Sequence, residues 1–228
     1  MFKARGRMKK QKMLDNIIKL TGTEKPSLRF IVEDDIIIRK REAASLEEAI
    51  FKEIEIKDMK TANHCKAVAA FAYLLAEKLG LCPDDVRMAY KCGLFHDIGK
   101  LMVDNAVLYK KEKLTANEYH QIREHARKGM MILEAFNMPD KVVDAAWHHH
   151  EYFNGGGYPD GLEGKEIKFM TQIISVADCM DAMLKNRAYR KALSPDRMIN
   201  ELKSGSGKQF NPEIVEAAAE IGERIKEG

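Results

Sequence analysis

From Asp58 onward apolar residues recur at helical intervals almost without interruption. Val68, Phe71, Leu74, Leu75 and Leu79 form one stripe ending at Gly80, a residue suited to closing a helix, and His64 lies on the same stripe. A second helix opens at Pro83-Asp84-Asp85 and runs through Val86, Ala89 and Tyr90 to Leu94 and Phe95, where the polar pair His96-Asp97 interrupts the apolar sequence. Thr115 followed by Glu118 is a capping-box signature for a third helix, with Ile122, His125, Gly129, Ile132 and Leu133 at helical spacing, which turns His125 inward. A fourth runs from Lys141 to about His150 and stops before a glycine-rich turn, and Ile173, Ile174, Ala177, Asp178, Asp181 and Leu184 mark a fifth. No period of about 20–50 residues recurs, so a solenoid is excluded.

Residues 1–57 read differently. A basic, helix-like start through Leu20 breaks at Gly22 to Pro26, and two β-branched runs flank Glu33-Asp34-Asp35 between Leu28 and Arg39, the pattern of a short β-hairpin. A further helix is expected after Ser45. This stretch holds no His or Cys and reads as a packing or dimerisation appendage, or as a small sensory module. The expectation is an all-α fold: a helical domain over residues 58–228 with a small N-terminal appendage over 1–57, through which a homodimer would form.

Composition narrows the class. A chain of 228 residues exceeds the usual domain of about 100–200 but falls short of two, which fits one domain plus an appendage. An apolar share of 45% with only 15 Gly and 6 Pro excludes collagen-like, low-complexity and wholly disordered chains. The net charge of +3 is too balanced for a dedicated DNA, RNA or membrane-surface protein. The longest apolar run, Ala67 to Ala76, is ten residues, about half of the roughly 20 that span a bilayer, and the basic N-terminus lacks a following apolar segment, so a cytoplasmic location is expected. Cys65, Cys82, Cys92 and Cys179 never form a CxxC pair and read as reduced, mostly buried thiols.

The chemistry lies in the polar residues on the apolar faces. One histidine among apolar neighbours is ordinary packing. Here His64, His96, Asp97, His125, His149, His150 and Asp178 are all of metal-ligand type, and burying them without a joint partner would cost several kcal/mol per group. Imidazole and carboxylate ligands without cysteine suit Fe, Mn, Ni or Zn. Seven ligands exceed one ion, which points to two divalent ions bridged by a carboxylate, for which Asp97 is the candidate.

The series His64, HDIGK (His96–Lys100), His125, HHE (His149–Glu151), NGGGYPDGL (from Asn154), VADCMDA (Val176–Ala182), NRAYRKA (Asn186–Ala192) and FNPEIV (Phe210–Val215) resembles the HD-domain phosphohydrolases, and within them the HD-GYP subfamily. The resemblance covers about residues 58–216. It implies a first metal held by His64, His96, Asp97 and Asp178, and a second sharing Asp97 and adding His125, His149 and His150. It implies that Lys100 meets a substrate phosphate, and that Tyr158 meets a base or phosphate while Gly155, Gly156 and Gly157 admit close backbone approach. Arg187 and Arg190 match a ligand-clamping element whose proline is Ala188 here. Glu151 and Asp181 would stand behind the ligands. Iron or manganese is the expected metal, with nickel or zinc also compatible. Lys60 stands where members with a third metal carry Glu, so a third ion is not expected. Tyr152 and Asn154 replace a common Arg and Asp beside the loop. His148, outside the matched pair, reads as solvent-facing or as orienting a neighbour. The implied activity is hydrolysis of cyclic di-GMP to pGpG and onward to GMP by hydroxide between the two ions, with Asp97 and Lys100 catalytic. The alternatives are another cyclic dinucleotide, such as cyclic GMP-AMP, or a catalytically silent nucleotide-binding signalling module.

Overall fold

The computed structural model describes residues 46–186 and 191–227. The expected hairpin over Leu28–Arg39 and the clamp residues Arg187 and Arg190 lie outside them. The helices are α1 (Leu46–Lys57), α2 (Met59–Lys78), α3 (Pro83–Phe95), a 3-10 turn (Ile98–Met102), α4 (Asn105–Leu108), α5 (Ala116–Arg123), α6 (His125–Ala135), α7 (Asp140–His148), a second 3-10 turn (Gly164–Glu166), α8 (Phe169–Leu184), α9 (Pro195–Ser204) and α10 (Pro212–Glu227). Among the described residues β pairing is confined to two isolated bridges, Asn154 with Glu163 and Ser206 with Phe210. The fold is all-α, as read from the sequence.

Helix α8 is the centre of the bundle. Ten of its 16 residues are buried, and α2, α3, α7, α9 and α10 pack around it. Helix α2 meets its neighbours through small residues, burying Ala62, Cys65, Val68, Ala69, Ala72, Leu75 and Ala76. A side chain on Gly93 of α3 would stand 2.5 Å from the Ala69 Cα, so glycine is what lets α2 and α3 approach this closely. This corrects one reading of the sequence: Leu74 is 44% exposed, because alanines carry the contact and the large residue beside them turns outward.

The third expected helix is two. The capping box at Thr115 and Glu118 forms with both arms in place and starts α5, but the chain breaks at Glu124 before α6 begins at His125. The His125 ring takes the Ile122 carbonyl (2.6 Å), which an uninterrupted helix would use for the N–H four residues on. The helix expected after Ser45 is α1, whose Ala49, Ile50 and Ile54 enter the same core. Its last residue, Lys57, donates to the carbonyls of Leu101 (2.6 Å) and Val103 (2.8 Å), tying α1 to the first 3-10 turn. No helix among the described residues is long and apolar enough to cross a membrane.

The cysteines divide by exposure, which gives a direct test of the packing. Cys82 is exposed, Cys65 and Cys92 are buried, and burial pushes the Cys92 thiol up to about 12. Since the thiolate is the reactive form, iodoacetamide is expected to label Cys82 in the folded protein and Cys65 and Cys92 only after unfolding. Equal labelling of Cys92 and Cys82 under native conditions, read by peptide mass spectrometry, would contradict this core.

Candidate metal centre

The predicted ligands come from five helices and their ends. His64 lies in the second turn of α2, His96 and Asp97 follow α3, His125 opens α6, His149 and His150 follow α7, and Asp178 lies midway along α8. Helix ends leave carbonyls without partners, and the histidines use them. His96 Nδ1 donates to the Gly93 carbonyl (2.8 Å), His125 Nδ1 to that of Ile122 (2.6 Å), and His149 Nδ1 to those of Ala145 and Ala146 (both 3.1 Å). His64 Nδ1 meets Asp181 Oδ2 at 2.6 Å. A carbonyl can only accept, so the proton sits on Nδ1 of His96, His125 and His149, and Nε2 keeps its lone pair for a metal.

These Nε2 atoms converge on Asp97. Its Oδ2 lies 3.4 Å from His96 Nε2 and 3.6 Å from His64 Nε2, while its Oδ1 lies 3.3 Å from His125 Nε2 and 4.0 Å from His149 Nε2. Asp178 Oδ1 is 3.1 Å from His64 Nε2. Three sets have ligand atoms within 4.8 Å of one another: His64, His96 and Asp178; His96, Asp97 and His149; and His125, His149 and His150. All seven predicted ligands therefore gather in one centre with Asp97 between the sets.

The heart of the centre is buried and electrostatically divided. His96 is 0% and Asp97 2% exposed. Burial holds His125 down to about 4, His150 down to about 3 and His149 well below its usual range, so these rings are neutral. Burial would raise the Asp97 carboxyl, but the Lys100 ammonium at 2.5 Å, with His96 and His125, holds it well below the carboxylate range. For His64 burial works downward, yet the hydrogen bonds and charges of Asp178 and Asp181 outweigh it and raise the ring to about 9. The test of fit is His96 Nε2, a buried atom without a hydrogen-bond partner. An orphan of this kind costs about 1–3 kcal/mol, and a divalent cation would satisfy it. Imidazole nitrogens, two carboxylates and no sulfur are a donor set that such a cation fits.

Asp181 is placed to orient His64, and it also pairs with Lys185 at 2.8 Å. Removing such a partner typically weakens metal binding about 10–100-fold. That loss is expected for Asp181→Ala in a chelator-competition titration; unchanged affinity would remove Asp181 from the support of the centre.

The loop after α7 is built from behind. Glu151 Oε1 accepts from the backbone N–H groups of Asp160 (2.6 Å) and Gly161 (3.0 Å), so Glu151 braces the loop rather than a histidine. His148 is not solvent-facing: it lies between Asp144 (3.2 Å) and Asp160 (3.1 Å), tying the loop to α7. A side chain on Gly157 would lie 2.5 Å from both Glu151 Cα and the His150 carbonyl oxygen and would overlap the Tyr152 nitrogen. The close approach at Gly157 is thus to the protein's own backbone, where the sequence reading had reserved it for a ligand. The FNPEIV segment also serves the loop, since Asn211 donates to Gln172 (2.7 Å), which donates to the carbonyls of Gly164 and Ile167. Tyr158 stacks on His150 (centroids 4.7 Å apart, 26°), and Arg123 Cζ lies 4.0 Å over the same ring. Lys100 rests on Asp97, and Lys60 is an exposed residue of the first turn of α2. Sequence reasoning missed Arg123, Asp144 and Asp160, for which a single sequence offers no signal.

Residues 38–214 match the family described as HD domain. The chain is similar to the cyclic di-GMP phosphodiesterase response regulator RpfG of Xanthomonas campestris pv. campestris, with 35% identity over 181 residues, 78% of this chain and 47% of that protein. It is also similar to 3'3'-cGAMP-specific phosphodiesterase 3 of Vibrio cholerae, with 35% identity over 169 residues, 74% of this chain and 37% of that protein. It spans about half the length of these relatives or less. Among solved structures, Bd1817, a HDG"Y"P protein from Bdellovibrio bacteriovorus, shares the fold with a TM-score of 0.59 at 17% identity, covering 77% of this chain and 62% of that one. A family match over most of the chain, the shared helical fold and the histidine–aspartate centre agree: the chain belongs to the HD-domain family.

Proposed function

We propose that this chain is a metal-dependent phosphodiesterase that hydrolyses cyclic di-GMP to pGpG. The observation that carries the reading is the Asp97 carboxylate, whose two oxygens face two different sets of imidazoles. Two divalent ions fit this division, one among His64, His96, Asp97 and Asp178, the other among Asp97, His125, His149 and His150, with iron or manganese as the preferred metals. Bound there, the ions would supply Lewis acidity to the phosphodiester and lower the pKa of water.

The chain's own residues supply the rest. The Nδ1 hydrogen bonds fix the rings so that their lone pairs need no reorganisation, and the buried walls keep the charges in a medium where they act strongly. Lys100 neutralises Asp97 and offers an ammonium to a phosphate oxygen as a point charge. Glu151 and His148 hold the loop that carries Tyr158 beside His150. The relative named for cyclic di-GMP and the relative named for cGAMP are equally identical to this chain, which supports cyclic GMP-AMP as a second substrate. Product chromatography of the metal-loaded protein on both nucleotides tests the reading. We expect pGpG from cyclic di-GMP at the higher kcat/KM; preference for cyclic GMP-AMP would reassign the substrate, and no product from either would overturn the reading.

A further inference from the structure

Arg123 closes α5 two residues before the ligand His125 and is exposed. Its guanidinium lies over the face of Tyr158, the ring that itself stacks on the ligand His150. The other cations here are engaged: Lys100 with Asp97, Lys185 with Asp181, and Lys128 with the Met102 carbonyl. Among the described residues no carboxylate forms an ion pair with Arg123. A guanidinium lying on an aromatic face spends that face and leaves the N–H donors along its edge free, in the planar fork that matches a phosphate. It sits one ring away from the ligand set, beside the reacting position rather than at it.

We propose that Arg123 is a substrate-contact residue which, held over the ring of Tyr158, receives the phosphodiester of the cyclic dinucleotide that is not being cleaved. The inference rests on the phosphodiesterase reading above. A cyclic dinucleotide carries two phosphodiesters, and with one at the metal ligands the other must lie to the side. An arginine there rewards substrates with a second phosphate and gives nothing to a substrate with one.

The test compares kcat/KM for cyclic di-GMP with that for bis(p-nitrophenyl) phosphate, which has a single phosphodiester, on metal-loaded wild type, Arg123→Ala and Arg123→Lys, with metal content measured throughout. The ratio is expected to fall about tenfold or more in Arg123→Ala, mainly through KM for the dinucleotide, because charge-assisted hydrogen bonds are of that strength. Arg123→Lys keeps the charge but not the fork and should recover part of the loss. Arg127→Ala, an exposed arginine of α6, should hold the ratio and so exclude a bulk charge effect. A merely structural role, acting through Tyr158 and His150, would lower both activities together, and that result, or an unmoved ratio, overturns the inference. A wild type that cleaves bis(p-nitrophenyl) phosphate but no cyclic dinucleotide fails differently: it refutes the substrate reading itself and the inference with it.

Discussion

Asp97→Asn is expected to abolish turnover and to empty the centre of metal. The substitution keeps the shape of the side chain but removes the charge. Asp97 Oδ2 faces His64 and His96 and pairs with Lys100, and Oδ1 faces His125 and His149, so one atom change acts on both sides of the centre. The asparagine would also leave the Lys100 ammonium without its nearest anion, and breaking a buried pair in this way costs about 3–5 kcal/mol. We expect metal content to drop from about two equivalents to well below one. The rate should fall about a thousandfold or more, since metals contribute several kcal/mol to phosphodiester hydrolysis. Elemental analysis and a chromatographic assay on one sample check both. An Asp97→Asn protein that holds metal and turns over would remove Asp97 from the centre of this mechanism.

Gly99→Ala, the change of a single hydrogen to methyl, is expected to be nearly as damaging. The added carbon would overlap the His125 carbonyl oxygen and lie 2.5 Å from Gly129 N and 2.7 Å from His125 C, all of it backbone. Backbone cannot rotate away as a side chain can, so the 3-10 turn and the start of α6 must separate. Asp97 precedes that turn and His125 opens α6, and their 3.3 Å contact is what the separation breaks. Overpacking of this kind costs about 3 kcal/mol or more. A fall in Tm together with reduced metal content is the expected result. Gly80→Ala serves as the comparison: with φ at +71 and no atom within 4 Å of the added carbon, it carries only backbone strain of about 1 kcal/mol. A Gly99→Ala protein as stable as Gly80→Ala and fully loaded would contradict the packing at the centre.

The HDIGK motif shows how much of this a sequence discloses. His96 and Asp97 stand out because titratable groups amid apolar neighbours demand a partner, and the structure gathers them with the other five predicted ligands. Ile98 is fully buried core, Gly99 is the close approach, and Lys100 neutralises Asp97. Local signals were legible in the same way: the capping box at Thr115 and Glu118 and the positive φ at Gly80 both involve neighbours a few residues apart. What a sequence hides is contact across the chain. The Nδ1 proton of His125 that breaks α5 from α6, the placement of His148 between Asp144 and Asp160, and the seat of Arg123 on Tyr158 each depend on the packed geometry. The exposure of Leu74 has the same origin, since counting large apolar residues overlooks a face made of alanines.

The central claim is that turnover belongs to metal held around Asp97. Its most direct test is to strip the protein with a chelator and restore manganese or iron(II) anaerobically in measured steps, following pGpG release from cyclic di-GMP at each step. The expected result is no product from the stripped protein and a rate that rises with added metal and levels near two equivalents. Full activity after stripping, or a fully loaded protein that forms no product from cyclic di-GMP or cyclic GMP-AMP, would contradict it.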